Sequence, residues 1–362
     1  LHEAEVDIER GDFPGAEALL VKVVSAQKRE LGAEHPTYAQ SLNNLAICVR
    51  KQGDIAGAES MALQALKIQE KVLGDSHVDI HAVLGNLAVI RSQQGDLDGA
   101  VAATERALKI QERAYGEDHI EVSTTLNNLA VLTMRKGDLD LADAYSARTV
   151  RIQEQVLGFD HPDLAVSLNN HGEIVMQQAR TNPSLFKVAL GMFQRSLQIQ
   201  DSSYGVRDEE KIPTLTFIAA AMRQVGDHKG AVEVMQRCLK YMEASKGDNH
   251  VDLAPPLNNL GIELGALGDN KGAARAFARA LSIYKTEYGW NTVDVAQTLQ
   301  NLAIALTKLK DFGGAEKRLK AAYRILRAQL GKDHPQTRKV GEATVKMKRA
   351  REDSAADLPT EV

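Results

Sequence analysis

The side chain types that recur in this sequence at fixed spacing are a carboxamide, an imidazole and a cation, and each suggests a different chemistry. Asn44, Asn86, Asn128, Asn170, Asn259 and Asn301 occupy the same place in the hexads SLNNLA (41–46), VLGNLA (83–88), TLNNLA (125–130), SLNNHG (167–172), PLNNLG (256–261) and TLQNLA (298–303). A carboxamide offers two N–H donors and a carbonyl acceptor, so a row of them can hold the N–H and C=O groups of an extended peptide without reading its side chains. Arg50, Lys51, Arg135, Arg223 and Lys308 follow near the ends of the same segments. They can add charge-assisted bonds to acidic side chains or to a terminal carboxylate.

The imidazoles point elsewhere. His35, His77, His119, His161, His250 and His334 share one position of the period, so successive copies are at least one helix pair apart. Helices pack about 8–10 Å apart, whereas metal–nitrogen bonds are about 2 Å. These histidines are therefore read as turn residues, and no metal or cofactor is expected. Cys48 and Cys238 are the only cysteines, and the period places them more than four units apart, too far for a disulfide. No phosphate loop and no nucleophile–base arrangement is present, so the sequence is read as non-enzymatic.

The period itself is set by glycine. Gly32, Gly74, Gly116, Gly158, Gly205, Gly247, Gly289 and Gly331 are separated by steps of 42, 42, 42, 47, 42, 42 and 42 residues. A second marker, Gly-Asp, falls at 11–12, 53–54, 95–96, 137–138, 226–227 and 268–269, and becomes Lys310-Asp311 in the last unit. Each unit predicts two helices. Leu42, Leu45, Ala46 and Val49 form one apolar stripe at i, i+3, i+4 and i+7. Gly53 then stops that helix, because glycine takes the left-handed C-terminal conformation without strain, and Asp54 caps the next. Small residues Ala58, Ala62 and Ala65 line the second helix and allow close helix approach. Pro36, Pro162 and Pro335 suit a first helical turn.

Residues off the apolar stripe of the first helix make a separate row: Gln40, Asn44, Ile47 and Lys51, with Thr124, Asn128, Val131 and Arg135, and Val166, Asn170, Glu173 and Gln177, as equivalents. Stacked units predict an Asn ladder facing a groove. The alternative is that the repeated Asn bonds the neighbouring helix and fixes repeat geometry. The first Asn of each pair, which becomes Gly85 and Gln300 in two units, is read as the less constrained. The second Asn is lost at Phe217, in TLTFIA (214–219), which suggests either a local apolar pocket or a break in the ladder.

The small-residue, Gly-Asp and Ala spacing resembles the tetratricopeptide pattern stretched from 34 to 42 residues. With NNLA and LGxxHP it is similar to the kinesin light chains, over about residues 1–350. The resemblance implies an all-α, right-handed superhelical solenoid of antiparallel helix pairs with a concave peptide-binding groove lined by each first helix, the groove in which kinesin light chains take short cargo peptides. Chaperone-binding tetratricopeptide domains use a Lys/Asn clamp, but the cations here are scattered rather than clustered.

The expected organisation is a single solenoid over 1–352, with a partial first unit (1–31), units at about 32–73, 74–115, 116–157, 158–204, 205–246, 247–288 and 289–330, a capping helix at about 335–352 and a disordered tail at 353–362. Five extra residues around 179–184 read as a tolerated surface insertion, or else as a protruding partner-contact loop or a bend in the superhelix. The chain opens on Leu1 within a helical pattern, which predicts a fragment whose missing N-terminal region could join a larger complex.

Charge and hydropathy narrow the partners. With 44 basic against 48 acidic side chains, the whole chain has no strong field for nucleic acid. No run is long enough for membrane insertion, and no signal segment is evident. The expected function is a cytoplasmic scaffold or adaptor for a protein or peptide partner, kinesin light chain-like. The alternative is a regulatory or sensor module of a larger signalling protein.

Overall fold

The computed structural model describes residues 10–203 and 207–356; Gly205 and residues 357–362 of the expected tail lie outside them. The chain divides into two compact units, Leu1–Asn182 and Pro183–Val362, with the break inside the five-residue insertion. In the first unit the helices are α1 (Phe13–Glu30), α2 (Pro36–Lys51), α3 (Ile55–Leu73), α4 (Ile80–Gln94), α5 (Leu97–Tyr115), α6 (Ile120–Lys136), α7 (Leu139–Leu157) and α8 (Pro162–Gln178). In the second they are α9 (Leu185–Ser202), α10 (Ile212–Val225), α11 (His228–Lys246), α12 (Ala254–Ala266), α13 (Asn270–Tyr288), α14 (Val293–Lys308), α15 (Phe312–Leu330) and α16 (Pro335–Ala356), with two short 3-10 turns before α10 and α12. No strand occurs among the described residues. The last helix runs four residues past 352, into the segment expected to be disordered.

Within each unit every helix packs on the next in sequence, and first helices of successive repeats also touch, as α2 does α4, α6 does α8 and α12 does α14. The expected apolar stripe is the core: Leu42, Leu45, Ala46 and Val49 are all buried. Ala58, Ala62 and Ala65 are fully buried, so a larger side chain at Ala62 would push two helices apart at a cost of about 1–3 kcal/mol.

The turns explain the Gly-Asp marker. Gly95 ends α4 at φ 85°, and the Asp96 carboxylate accepts from the Gly99 N–H at 2.9 Å. A Cβ at Gly99 would fall 2.1 Å from that carboxylate; one repeat on, Asp138 makes the same cap to the Leu141 N–H at 3.2 Å, so the carboxylate adjusts where the residue is larger. Lys310 holds the same turn at φ 63° without being glycine, the one such residue described. The histidines cap helices: Nδ1 of His35, His119, His161 and His250 accepts from the N–H two residues ahead, each at 3.2 Å. The inserted residues form a turn in which Thr181 and Asn182 N–H groups donate to the Gln178 carbonyl.

Candidate groove site

The Asn ladder exists as a set of bonds between repeats. Asn86 Nδ2 donates to Asn43 Oδ1 at 3.1 Å, Asn170 to Asn127 at 2.9 Å, and Asn301 to Asn258 at 3.0 Å. In each, the second Asn of one repeat reaches back to the first Asn of the repeat before. The first Asn, read from sequence as less constrained, is thus the acceptor that fixes the joint; Asn43 is buried. Sequence reasoning separated two residues that work as a pair because their bond crosses 43 positions.

The pairing fails where its acceptor is missing. Asn128 would reach back to residue 85, which is glycine, and Asn128 is exposed. The space left open is a pocket of about 490 Å³ between α4 and α6, floored by α5. A Cβ on Gly85 would meet no atom within 4 Å. Its walls are Ala82, Gly85, Ala88 and Val89 on one side and Thr124, Asn128 and Val131 on the other. Thr104, Ala107 and Gln111 make the floor, where Gln111 is held by the Thr125 hydroxyl at 2.6 Å. Arg135 closes one end, its guanidinium donating to the Ser92 side chain and carbonyl; His81 and Glu121 also line the pocket. A mostly apolar cavity with a few convergent polar groups is the usual form of a recognition site.

The other expected residues distribute unevenly. Asn301 and Lys308 share a pocket of about 270 Å³ with Ile262, Gly265, Phe277 and Ile304. Asn259 and Arg223 share one of about 60 Å³ with Thr216, the residue standing where Asn259 would find its Asn partner. Asn44, Asn86, Asn170, Arg50 and Lys51 line none of these three. Arg50 is half-buried, and burial pushes its guanidinium pKa down. The Lys51 ammonium lies 5.5 Å from the Phe13 ring. Arg223 Nε is 4.0 Å from Glu263, a fully buried carboxylate that also bonds His228 at 2.7 Å.

One regular feature was missed in the sequence. On the second helices, Arg106 binds Glu70 (2.6 Å) and the Asp75 carbonyl (2.9 Å), Arg148 binds Glu112 (2.6 Å) and the Glu117 carbonyl (2.7 Å), and Arg279 binds Glu243 (2.5 Å) and the Asp248 carbonyl (2.7 Å). Each arginine clamps the preceding repeat. The signal was available, since both partners recur with the period.

A family model described as tetratricopeptide repeat matches residues 1–71, 79–133 and 212–286, and a second of the same description matches 122–163 and 295–336. The chain belongs to the tetratricopeptide repeat family. Among solved structures, this tetratricopeptide chain is similar to apo RapI (15% identity, TM-score 0.64, covering 97% of each chain). It is also similar to BtubC (BKLC) from P. vanneervenii (23%, TM-score 0.57, covering 65% of this chain and 93% of that one). A proposed kinesin light chain from Podosopora anserina with nearly identical TPR-like repeats is 21% identical, with TM-score 0.52, covering 59% of this chain and 99% of that one. These likenesses are of fold. No curated protein matches the sequence. No described helix of the tetratricopeptide chain is long and apolar enough to cross a membrane, and no group of three or more metal-ligating side chains occurs among the described residues.

Proposed function

We propose that this tetratricopeptide chain is an adaptor that holds an extended segment of a partner protein on the face lined by its first helices, anchored in the pocket over Gly85. The observation that carries the reading is the missing rung: with glycine at 85, the Asn128 carboxamide keeps its donors and acceptor for a ligand at the mouth of a side-chain-sized cavity. Val89 and Val131 supply apolar contact on either side. The carboxamide holds backbone, and Arg135 adds a cation for an acidic neighbour in the segment. Asn259 with Arg223, where Thr216 likewise removes the rung, repeats the combination of carboxamide and cation over a smaller cavity in the second unit. The likeness to a proposed kinesin light chain supports a cargo-adaptor role, and a cytoplasmic location belongs to this reading. Peptide-display selection against the wild-type chain and against Asn128→Ala tests it, with fluorescence anisotropy of the enriched peptides. A shared short motif that the variant fails to hold is the expected result; enrichment of the same motif by both would remove Asn128 from the mechanism.

A further inference from the structure

The C-terminal end of the chain carries a charge pattern that the groove does not use. Between positions 308 and 351 there are fourteen Lys and Arg against four Asp and Glu, while the rest of the chain has thirty against forty-four. On α15 the exposed cations Lys317, Lys320, Arg324 and Arg327 fall at offsets of 0, 3, 7 and 10, one helix face about 15 Å long.

Earlier in the chain three arginines of the second helices are neutralised internally. The clamp arginines each meet a carboxylate of the preceding repeat, at Glu70, Glu112 and Glu243. One and two repeats beyond Glu243, the carboxylate position becomes Lys285 and then Arg327, and the clamp position after Arg279 becomes Ala321. Buried Glu316 takes Lys320 (2.6 Å) and Arg351 (2.8 Å) and so ties α16 to α15. Lys317, Arg324 and Arg327 on α15, with Lys339, Lys346 and Arg349 on α16, are exposed and make no ion pair among the described residues.

The chemistry of the surroundings selects among anions. Neither helix exposes an aromatic ring on which bases could stack. Val345 is the one large apolar side chain exposed on either among the described residues, too little to enter a bilayer. The four cations of α15 span about 15 Å, the length of about five extended residues, which suits a short acidic stretch of polypeptide.

We propose that the exposed face of α15 and α16 docks an acidic segment of a partner protein, a second contact independent of the pocket over Gly85. The test uses the whole chain and a fluorescent peptide of about ten alternating glutamates and serines, read by anisotropy. Binding is expected, weakening as salt rises from about 50 to 300 mM. Reversal at K317E/R324E/R327E is expected to lower affinity by about tenfold or more, through three lost surface pairs and added repulsion. K317Q/R324Q/R327Q should lie between, and thermal melts by circular dichroism should show both variants folded. K67E/K109E, which alters the position of Arg324 in two earlier repeats, should leave binding unchanged, as should Asn128→Ala. No binding by wild type, an equal loss in K67E/K109E, or displacement of the peptide by a DNA duplex of about 20 base pairs at lower concentration would each overturn the proposal.

Discussion

Replacing Gly85 by asparagine should close the pocket and strengthen the protein at once. The new side chain would stand where Asn43, Asn127 and Asn258 stand in other repeats, ready to accept from Asn128 as they accept from Asn86, Asn170 and Asn301. Nothing obstructs it, since a Cβ at 85 meets no atom within 4 Å. Leaving glycine in mid-helix gains a few tenths of a kcal/mol, and an intramolecular hydrogen bond adds about 0.5–1.5 kcal/mol. The sum is about 0.8–1.8 kcal/mol, or a rise of about 2–7 °C in the melting temperature of a unit of this size. Binding should move the other way. The variant engages the Asn128 carboxamide and fills part of the 490 Å³ cavity, so peptides selected on wild type should bind at least about tenfold more weakly, the equivalent of 1.4 kcal/mol. Differential scanning calorimetry and anisotropy on the same preparation check both halves. A variant that binds as tightly as wild type would refute the pocket; one that melts lower would refute the account of the ladder.

Other substitutions probe the framework. Lys310→Gly should raise stability by about 0.5–1 kcal/mol in a thermal or urea melt, because it relieves a left-handed conformation that costs a side-chain-bearing residue about 1–2 kcal/mol. His161→Ala should cost about 1 kcal/mol by removing a helix cap, whereas His161→Asp should restore most of it; a His161→Ala melt equal to that of wild type would show that the ring caps nothing. Arg148→Ala should destabilise the first unit by about 1–2 kcal/mol in urea, since it frees Glu112 and the Glu117 carbonyl together. Burial pushes the Cys48 thiol up to about 11, with a smaller contribution from Glu17, and pushes Cys238 up as well. The folded state therefore holds protons that the unfolded chain releases near pH 8.5, and stability should be complete below that pH and fall as pH rises toward 11. Cys48→Ala should flatten the decline in denaturant melts taken between pH 8 and 11.

How much of this was legible depended on the reach of each interaction. Helices, turns and core follow from neighbours within a few residues, so Leu42, Leu45, Ala46 and Val49 were placed correctly by spacing alone. Family membership was legible for the same reason. The site was only partly so. Repetition marked Asn44, Asn86 and Asn128 as equivalent, yet the structure makes Asn86 a buried strut and Asn128 an exposed group. What separates them is the residue 43 positions earlier, and a pattern read one repeat at a time does not contain that partner. Gly85 was visible as a departure from the pattern; its meaning required knowing which way the carboxamides point. The histidine caps were hidden differently, because imidazole is a less familiar cap than Ser or Asp. The division near Asn182 coincides with the insertion, but five surplus residues carry no local mark of being a seam.

The Asn bonds join residues 43 apart, and the Arg clamps join residues 36 and 31 apart. Within either unit these links tie a repeat to its immediate neighbour, so the memory of the chain extends about one period. Low contact order of this kind favours fast folding, and growth can begin at any repeat and spread outward. A whole period could be excised or duplicated and each surviving joint would still find its partner. The length of the face lined by the first helices is therefore a quantity that gene-level recombination can adjust in steps of one repeat, without redesigning the parts it keeps.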